Sequence, residues 1–175
     1  MKFLVIADDE FAARKALPGG ADILISLGDM PDSVILEVAG TCCCQAVVAV
    51  KGNHDSAAAF PQPIRDLHLA TFAFGGVVFG GFGGAWKYKP KGHHLFEQDE
   101  VERLLADFPP VDVFVAHNSP RAIHDRNDEV HLGFVAFSNY IARTKPRLFL
   151  HGHQHHNVET TLGDTRVIGV FGQRQ

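Results

Sequence analysis

The chain is predicted to fold as an α/β domain, and two features of its order say so. From Lys2 to Val50, continuous apolar runs alternate with stretches of helical character, the pattern of strands buried on both faces between crossover helices. Each of those runs ends in a cluster of polar side chains, which is where open α/β folds hold their ligands. With 175 residues and 46% hydrophobic side chains, residues 1–175 are expected to form a single domain that buries its core without disulfides.

Lys2 to Ala7 is β-branched and aliphatic and ends at Asp8-Asp9-Glu10. A short helix is expected from Phe11 to Leu17, stopped by Pro18-Gly19-Gly20. The second strand, Asp22 to Leu27, runs into Gly28-Asp29, and Pro31-Asp32-Ser33 opens a second helix reaching about Ala39. Gln45 to Val50 is the third strand, ending in Lys51-Gly52-Asn53-His54-Asp55. Leu69 to Phe74 and Val77 to Gly81 form a hairpin around Gly75-Gly76. Gly80-Gly81-Phe82-Gly83-Gly84 and Trp86 to Gly92 then read as a mobile or closely approached loop, its glycines letting the backbone pass near a ligand. Glu97 to Phe108 places Val101, Leu104 and Leu105 on one helical face before Pro109-Pro110. Val111 to Ala116 is a strand ending at His117, and a long loop leads to a helix from Phe134 to Arg143. Arg147 to Leu150 is the next strand, and Val158 to Leu162 with Thr165 to Val170 closes the chain as a hairpin around Gly163-Asp164.

Composition narrows the function classes. Sixteen Lys and Arg against 20 Asp and Glu give a formal charge of -4, and no run of like charge would attract nucleic acid or an anionic membrane. Cys42-Cys43-Cys44 are adjacent, which suits neither a disulfide framework nor a zinc cluster with spaced pairs, so they read as reduced, partly buried residues. The run Phe3 to Ala7 is too short for a signal sequence, and no stretch approaches the roughly 20 apolar residues of a membrane span. A soluble cytoplasmic protein is expected.

The most informative stretch is Leu148-Phe149-Leu150-His151-Gly152-His153-Gln154-His155-His156. In an extended backbone His153 and His155 project together while Gln154 faces away, an arrangement suited to a metal ion. Imidazole favours Zn, Fe, Mn or Ni over Ca or Mg. His151 and His156 fall out of phase with that pair and read as strand-end structural or exposed residues, and His93 and His94 as solvated.

In order, the polar groups at strand ends are Asp8 and Glu10, Gly28-Asp29, Gly52-Asn53-His54-Asp55, His117, and Gly152-His153-Gln154-His155. This series resembles the calcineurin-like metallophosphoesterase superfamily, whose signature is D-x-H, G-D-x-x, G-N-H-D or G-N-H-E, a lone H, and G-H-x-H. The likeness spans residues 8 to 155 and is strongest to the small single-domain bacterial-type branch. It implies two packed mixed β-sheets flanked by helices, a four-layer α/β/β/α sandwich. It also implies two divalent metal ions, Mn foremost with Fe, Zn or Ni as alternatives. By the resemblance Asp8, Asp29 and His155 hold the first metal, Asn53, His117 and His153 hold the second, and Asp29 bridges. His54 is the implied general acid, Asn53 also touches the phosphate, and Asp32 resembles the acid that orients the histidine. The substrate implied is a small phosphodiester or phosphomonoester, nucleotide-derived esters among them, and the activity that of a hydrolase.

One position departs from the signature. Glu10 stands where D-x-H has histidine. By strand alternation Glu10 projects with Asp8 and is expected to serve as a replacement ligand, whereas a bend at the strand end would bring Asp9 there instead. A harder, more negative first site of this kind favours Mn. Outside the signature, Trp86, Tyr88, Arg121 and His131 are candidate substrate contacts, the first two because aromatic and basic residues interleave in Trp86-Lys87-Tyr88-Lys89.

Overall fold

The computed structural model describes residues 1–16 and 18–175. In chain order the elements are β1 (Phe3–Ala7), α1 (Glu10–Ala13), β2 (Ile23–Ser26), α2 (Asp32–Thr41), β3 (Ala46–Ala49), β4 (Arg65–Asp66), β5 (Thr71–Phe74), β6 (Val77–Phe82), β7 (Ala85–Trp86) and β8 (Leu95–Phe96). There follow α3 (Gln98–Leu105), β9 (Val113–Ala116), α4 (Val135–Thr144), β10 (Leu148–His151), β11 (Val158–Leu162), β12 (Thr165–Gly169) and β13 (Gly172–Arg174).

The strands form two large mixed sheets. One has the order β13-β1-β2-β3-β4, the other β11-β12-β10-β9-β6-β5, and β7 pairs with β8 in a separate ribbon. Alternation along each strand explains the layering. Val5 and Ala7 of β1, Ile23 and Ile25 of β2, and Val48 of β3 meet Phe79, Val113, Val115, Leu150 and Ile168 of the other sheet. The opposite faces of the same strands, through Leu4, Ile6, Leu24, Val47 and Ala49, pack on α1 and α2. On the far side Phe114, Phe149 and Val167 pack on Val101 and Leu105 of α3 and on Phe137, Tyr140 and Ile141 of α4. Both faces of the central strands are thus buried, which is why they read as continuous apolar runs. The result is the four-layer arrangement of helices, sheet, sheet and helices.

Four local readings change. α1 starts at Glu10, not Phe11, because Asp9 caps it, its Oδ1 accepting from the Ala12 N–H at 3.0 Å; the expected end of that helix, Leu17, lies outside the described residues. The glycines of 80–84 approach the core and neighbouring strands and not the metal ligands: a Cβ at Gly80 would press on Phe108 and Val111, one at Gly81 would strike the Val115 carbonyl, and one at Gly83 would come within 2.9 Å of the Lys51 carbonyl. The segment expected to be a loop after Gly84 is tied by the β7–β8 ribbon. Cys42 is buried under α2 and Cys44 is half-buried, but Cys43, left-handed at φ 54°, is exposed. Among the described residues no helix is long and apolar enough to cross a membrane.

Candidate metal centre

Parallel pairing of β1, β2 and β3 in one sheet, and of β9 and β10 in the other, brings their carboxyl ends to one edge of the sandwich. Asp8, Asp29, Asn53, His117 and His153 all follow these ends. One ligand atom each from Asp29, His117 and His153 lies within 4.8 Å of the others, a spacing that a single metal ion can span. Asn53 Oδ1 stands 3.1 Å from His117 Nε2. His155 Nε2 is 3.7 Å from Asp8 Oδ1.

The loops that carry these groups are strained. Asp8, Asp29, His153 and His155 have φ of 61°, 52°, 63° and 53°, a region that costs side-chain-bearing residues about 1 kcal/mol or more each. His153 and His155 therefore converge by left-handed turns and not by strand alternation, since β10 ends at His151. Glycine permits the close approach. A Cβ on Gly52 would strike the Asp29 carboxylate and come within 2.6 Å of the His117 ring, and one on Gly152 would lie 2.7 Å from Asp8 Oδ2.

Hydrogen bonds aim the ligands. His117 donates from Nδ1 to the Leu27 carbonyl at 2.8 Å, which turns Nε2 toward Asp29 and Asn53. His153 donates from Nε2 to the Val130 carbonyl at 3.2 Å, leaving Nδ1 its lone pair. Asp29 Oδ1 accepts from the His54 N–H at 2.8 Å, and Asp8 Oδ2 from the His153 N–H at 3.0 Å. Behind them the buried His151 donates from Nδ1 to the Gly152 carbonyl and pairs through Nε2 with His124 Nδ1 at 2.9 Å, a strand-end structural role.

The fit to a cation is visible in what is left unpaired. Asp8 Oδ1 is buried with no hydrogen-bond partner, a costly state for a carboxylate unless a positive charge faces it. Burial pushes the Asp8 carboxyl up to about 7, against the pull of His117. Burial also acts to lower His117, but the charge and hydrogen bond of Asp29 outweigh it and raise the imidazole to about 9. Asp29, whose burial opposes ionisation, is held well below the usual carboxylate range by His117 and the His54 N–H. In the metal-free protein a proton on His117 thus supplies the charge that the carboxylates require.

A pH dependence follows for the metal-free protein. The proton on His117 is bound more tightly folded than unfolded, so its contribution is complete below about 6.5 and is lost as pH rises toward 9. Asp8 acts in the same sense, its contribution complete below about 3.8 and lost by about 7. His151 and His153, pushed down to about 3 by burial, take up protons only in the unfolded chain, which destabilises the fold as pH falls below about 6.5. Melting temperature after chelation is expected to peak near pH 6.5 and decline to pH 9. Added divalent metal should remove the alkaline decline.

Some expected residues stand elsewhere. Glu10 opens α1 and its carboxylate pairs with Arg14 at 2.6 Å, while Arg14 also bonds Glu37 on α2. β1 ends at Ala7, so the alternation that set Glu10 beside Asp8 does not extend to it; Asp9, the alternative, is engaged as the helix cap. Asp32 pairs with the buried Lys51 at 3.0 Å instead of orienting His54. His54 is exposed and lines, with Asp29, Asp32, Lys51 and Asp55, a cleft of about 570 Å³. Of the four substrate candidates, Tyr88 reaches Asn53, and the His131 ring lies 5.2 Å from His153 in a tilted contact and 6.2 Å from His155 edge-on. Arg121 is engaged with Asp125 at 2.5 Å, and Trp86 packs against the α3–α4 core.

Asp55 is the residue whose part the sequence left unassigned. Its Oδ2 accepts from the N–H groups of Asp29 at 2.9 Å and Gly52 at 2.8 Å, and Oδ1 from Met30 at 3.2 Å. One carboxylate therefore clamps the loops after β2 and β3 together. Its place four residues after Lys51, in a turn rich in backbone donors, was the available signal.

A family model described as calcineurin-like phosphoesterase matches residues 3–157. Among solved structures the chain is similar to TT1561 of Thermus thermophilus, at 17% identity and TM-score 0.64, covering 95% of this chain and 87% of that one. Phosphopantetheinyl hydrolase (PptH) from Mycobacterium tuberculosis aligns at 14% identity and TM-score 0.64, covering 97% and 89%. Zinc-complexed Vps29 from Entamoeba histolytica aligns at 12% and TM-score 0.52, covering 98% and 74%. These likenesses concern the fold. No curated protein matches the chain.

Proposed function

The chain belongs to the calcineurin-like phosphoesterase family, a family of metal-dependent hydrolases of phosphate esters, and from that premise we propose that it is a phosphodiesterase with a dinuclear centre that favours Mn. The observation that carries the proposal is the cluster of Asp29, His117 and His153 together with the buried Asp8 Oδ1, which has no hydrogen-bond partner. Asp8, Asp29 and His155 would hold one ion, and Asn53, His117, His153 and Asp29 the other. Fe, Zn or Ni would suit the same imidazole-rich set. When bound, such ions neutralise phosphate charge and lower the pKa of water enough for it to attack at neutral pH.

The protein's own groups do the rest. Asp29, fixed by the His54 N–H, holds its charge at the centre of the set. His54, exposed on the cleft, would give a proton to the departing oxygen. His131 is locked by Asp128, whose Oδ1 accepts from both its N–H and Nδ1 at 2.8 and 2.9 Å, which fixes its ring 5.2 Å from that of His153, where it would border a bound ester. The exposure of His155 and His54 supports a diester, with its two substituents, as substrate.

The test is hydrolysis of bis-aryl and mono-aryl phosphates with added Mn, Ni, Zn, Fe or Mg. Diester cleavage is expected to exceed monoester cleavage. His54→Ala should lower turnover by about 10²-fold or more while metal content stays constant. Glu10→Ala is expected to leave both unchanged, as measured by elemental analysis and by rate; a fall in occupancy would restore Glu10 as a ligand.

A second reading is supported by Glu10. With that carboxylate held by Arg14, the first metal has only Asp8, Asp29 and His155 from the family set, and the fold would then serve as a binding scaffold. One metal or none per chain, with no turnover on any ester, would favour it.

A further inference from the structure

Tyr88 meets the centre from outside every motif of the family. Its segment is held in place from several sides: β7 pairs with β8, Gly84 N–H donates to the Lys51 carbonyl at 2.6 Å, Lys87 pairs with Glu97 at 3.1 Å, and His94 Nε2 bonds the Ser56 carbonyl at 3.0 Å. Lys89 Nζ lies 5.0 Å from the centroid of the phenol ring. The hydroxyl so placed accepts a hydrogen bond from Asn53 Nδ2 at 3.2 Å.

That bond bears on how Asn53 presents itself. The side-chain amide is buried, 6% exposed, and its two ends have nearly the same shape but different chemistry. Only the oxygen has a lone pair to offer a cation. With Nδ2 on Tyr88, Oδ1 faces His117 Nε2 at 3.1 Å. The two ends of the amide thus have different partners, and the one on Nδ2 is the Tyr88 hydroxyl.

Resting on the metal-centre reading above, we propose that Tyr88 is a positioning residue: its hydroxyl accepts from Asn53 Nδ2 and so keeps Oδ1 turned toward the second metal position. Such outer contacts commonly alter metal affinity by about 10-fold or more.

The experiment is calorimetric titration of Mn into chelated protein, read without any substrate. Wild type is measured first; if it takes up no metal, the metal-centre reading falls and this inference with it. Tyr88→Phe keeps the ring and removes the acceptor, and is expected to weaken the second equivalent by about 10-fold while sparing the first. Asn53→Asp offers an oxygen whichever way it turns, so in that background Tyr88→Phe should change affinity by less than about twofold. Tyr88→Leu, which removes the ring as well, should lower the melting temperature of the metal-free protein further than Tyr88→Phe does. Unaltered Mn binding by Tyr88→Phe, or an equal loss in both backgrounds, would overturn the assignment.

Discussion

Asp29→Asn is expected to remove both metals and to lower ester hydrolysis by about 10³-fold or more. Asp29 shares the cluster with His117 and His153, and in the proposed centre it alone touches both ions. The amide is nearly the same size, so the fold should survive, yet it lacks the charge that holds His117 protonated and would hold the cations in its place. His155→Ala offers the contrast. That side chain is exposed and, of the proposed ligands, pairs with Asp8, so its loss should empty the first site and leave the second filled. Elemental analysis of the folded variants checks both; two metals retained in Asp29→Asn would exclude the bridging role.

Asp55→Ala is expected to cost about 3 kcal/mol, because the N–H groups of Asp29, Met30 and Gly52 lose a shared acceptor in a partly buried turn. In a domain of this size that loss lowers the melting temperature by about 6–12 °C. Metal affinity should fall as well, since the clamp sets the distance between the loops bearing Asp29 and Asn53. Asp55→Asn keeps one acceptor oxygen and should fall between. Thermal denaturation of the chelated proteins is the measurement, and an unchanged midpoint in Asp55→Ala would show that the clamp carries no stability.

The central strands were legible because burial on both faces leaves an unbroken apolar run, as in Phe3 to Ala7 or Val113 to Ala116. β13 was not. Gly172-Gln173-Arg174 has no apolar pattern, and it joins the sheet through backbone pairing with Val5, Ile6 and Ala7. The two-residue strands β4, β7 and β8 are likewise decided by contacts distant in sequence. At the centre, the motif order pointed to the right strand ends, but alternation failed one residue beyond them. Asp8 turns left-handed, so Asp9 caps a helix and Glu10 swings to Arg14; the same left-handed geometry, in His153 and His155, brings together residues whose pairing had been argued from an extended strand. Asp32 could not be assigned from spacing, because its partner Lys51 is buried by the fold against Phe60. Nor does any local pattern connect Tyr88 to Asn53, 35 positions apart.

The most direct test of the dinuclear hydrolase is to titrate Mn into the chelated protein and follow bound metal and cleavage of a bis-aryl phosphate in the same samples. Binding is expected to saturate at about two equivalents per chain, with cleavage rising as the second is taken up. Saturation at one equivalent, or two equivalents bound with no cleavage, would contradict the account.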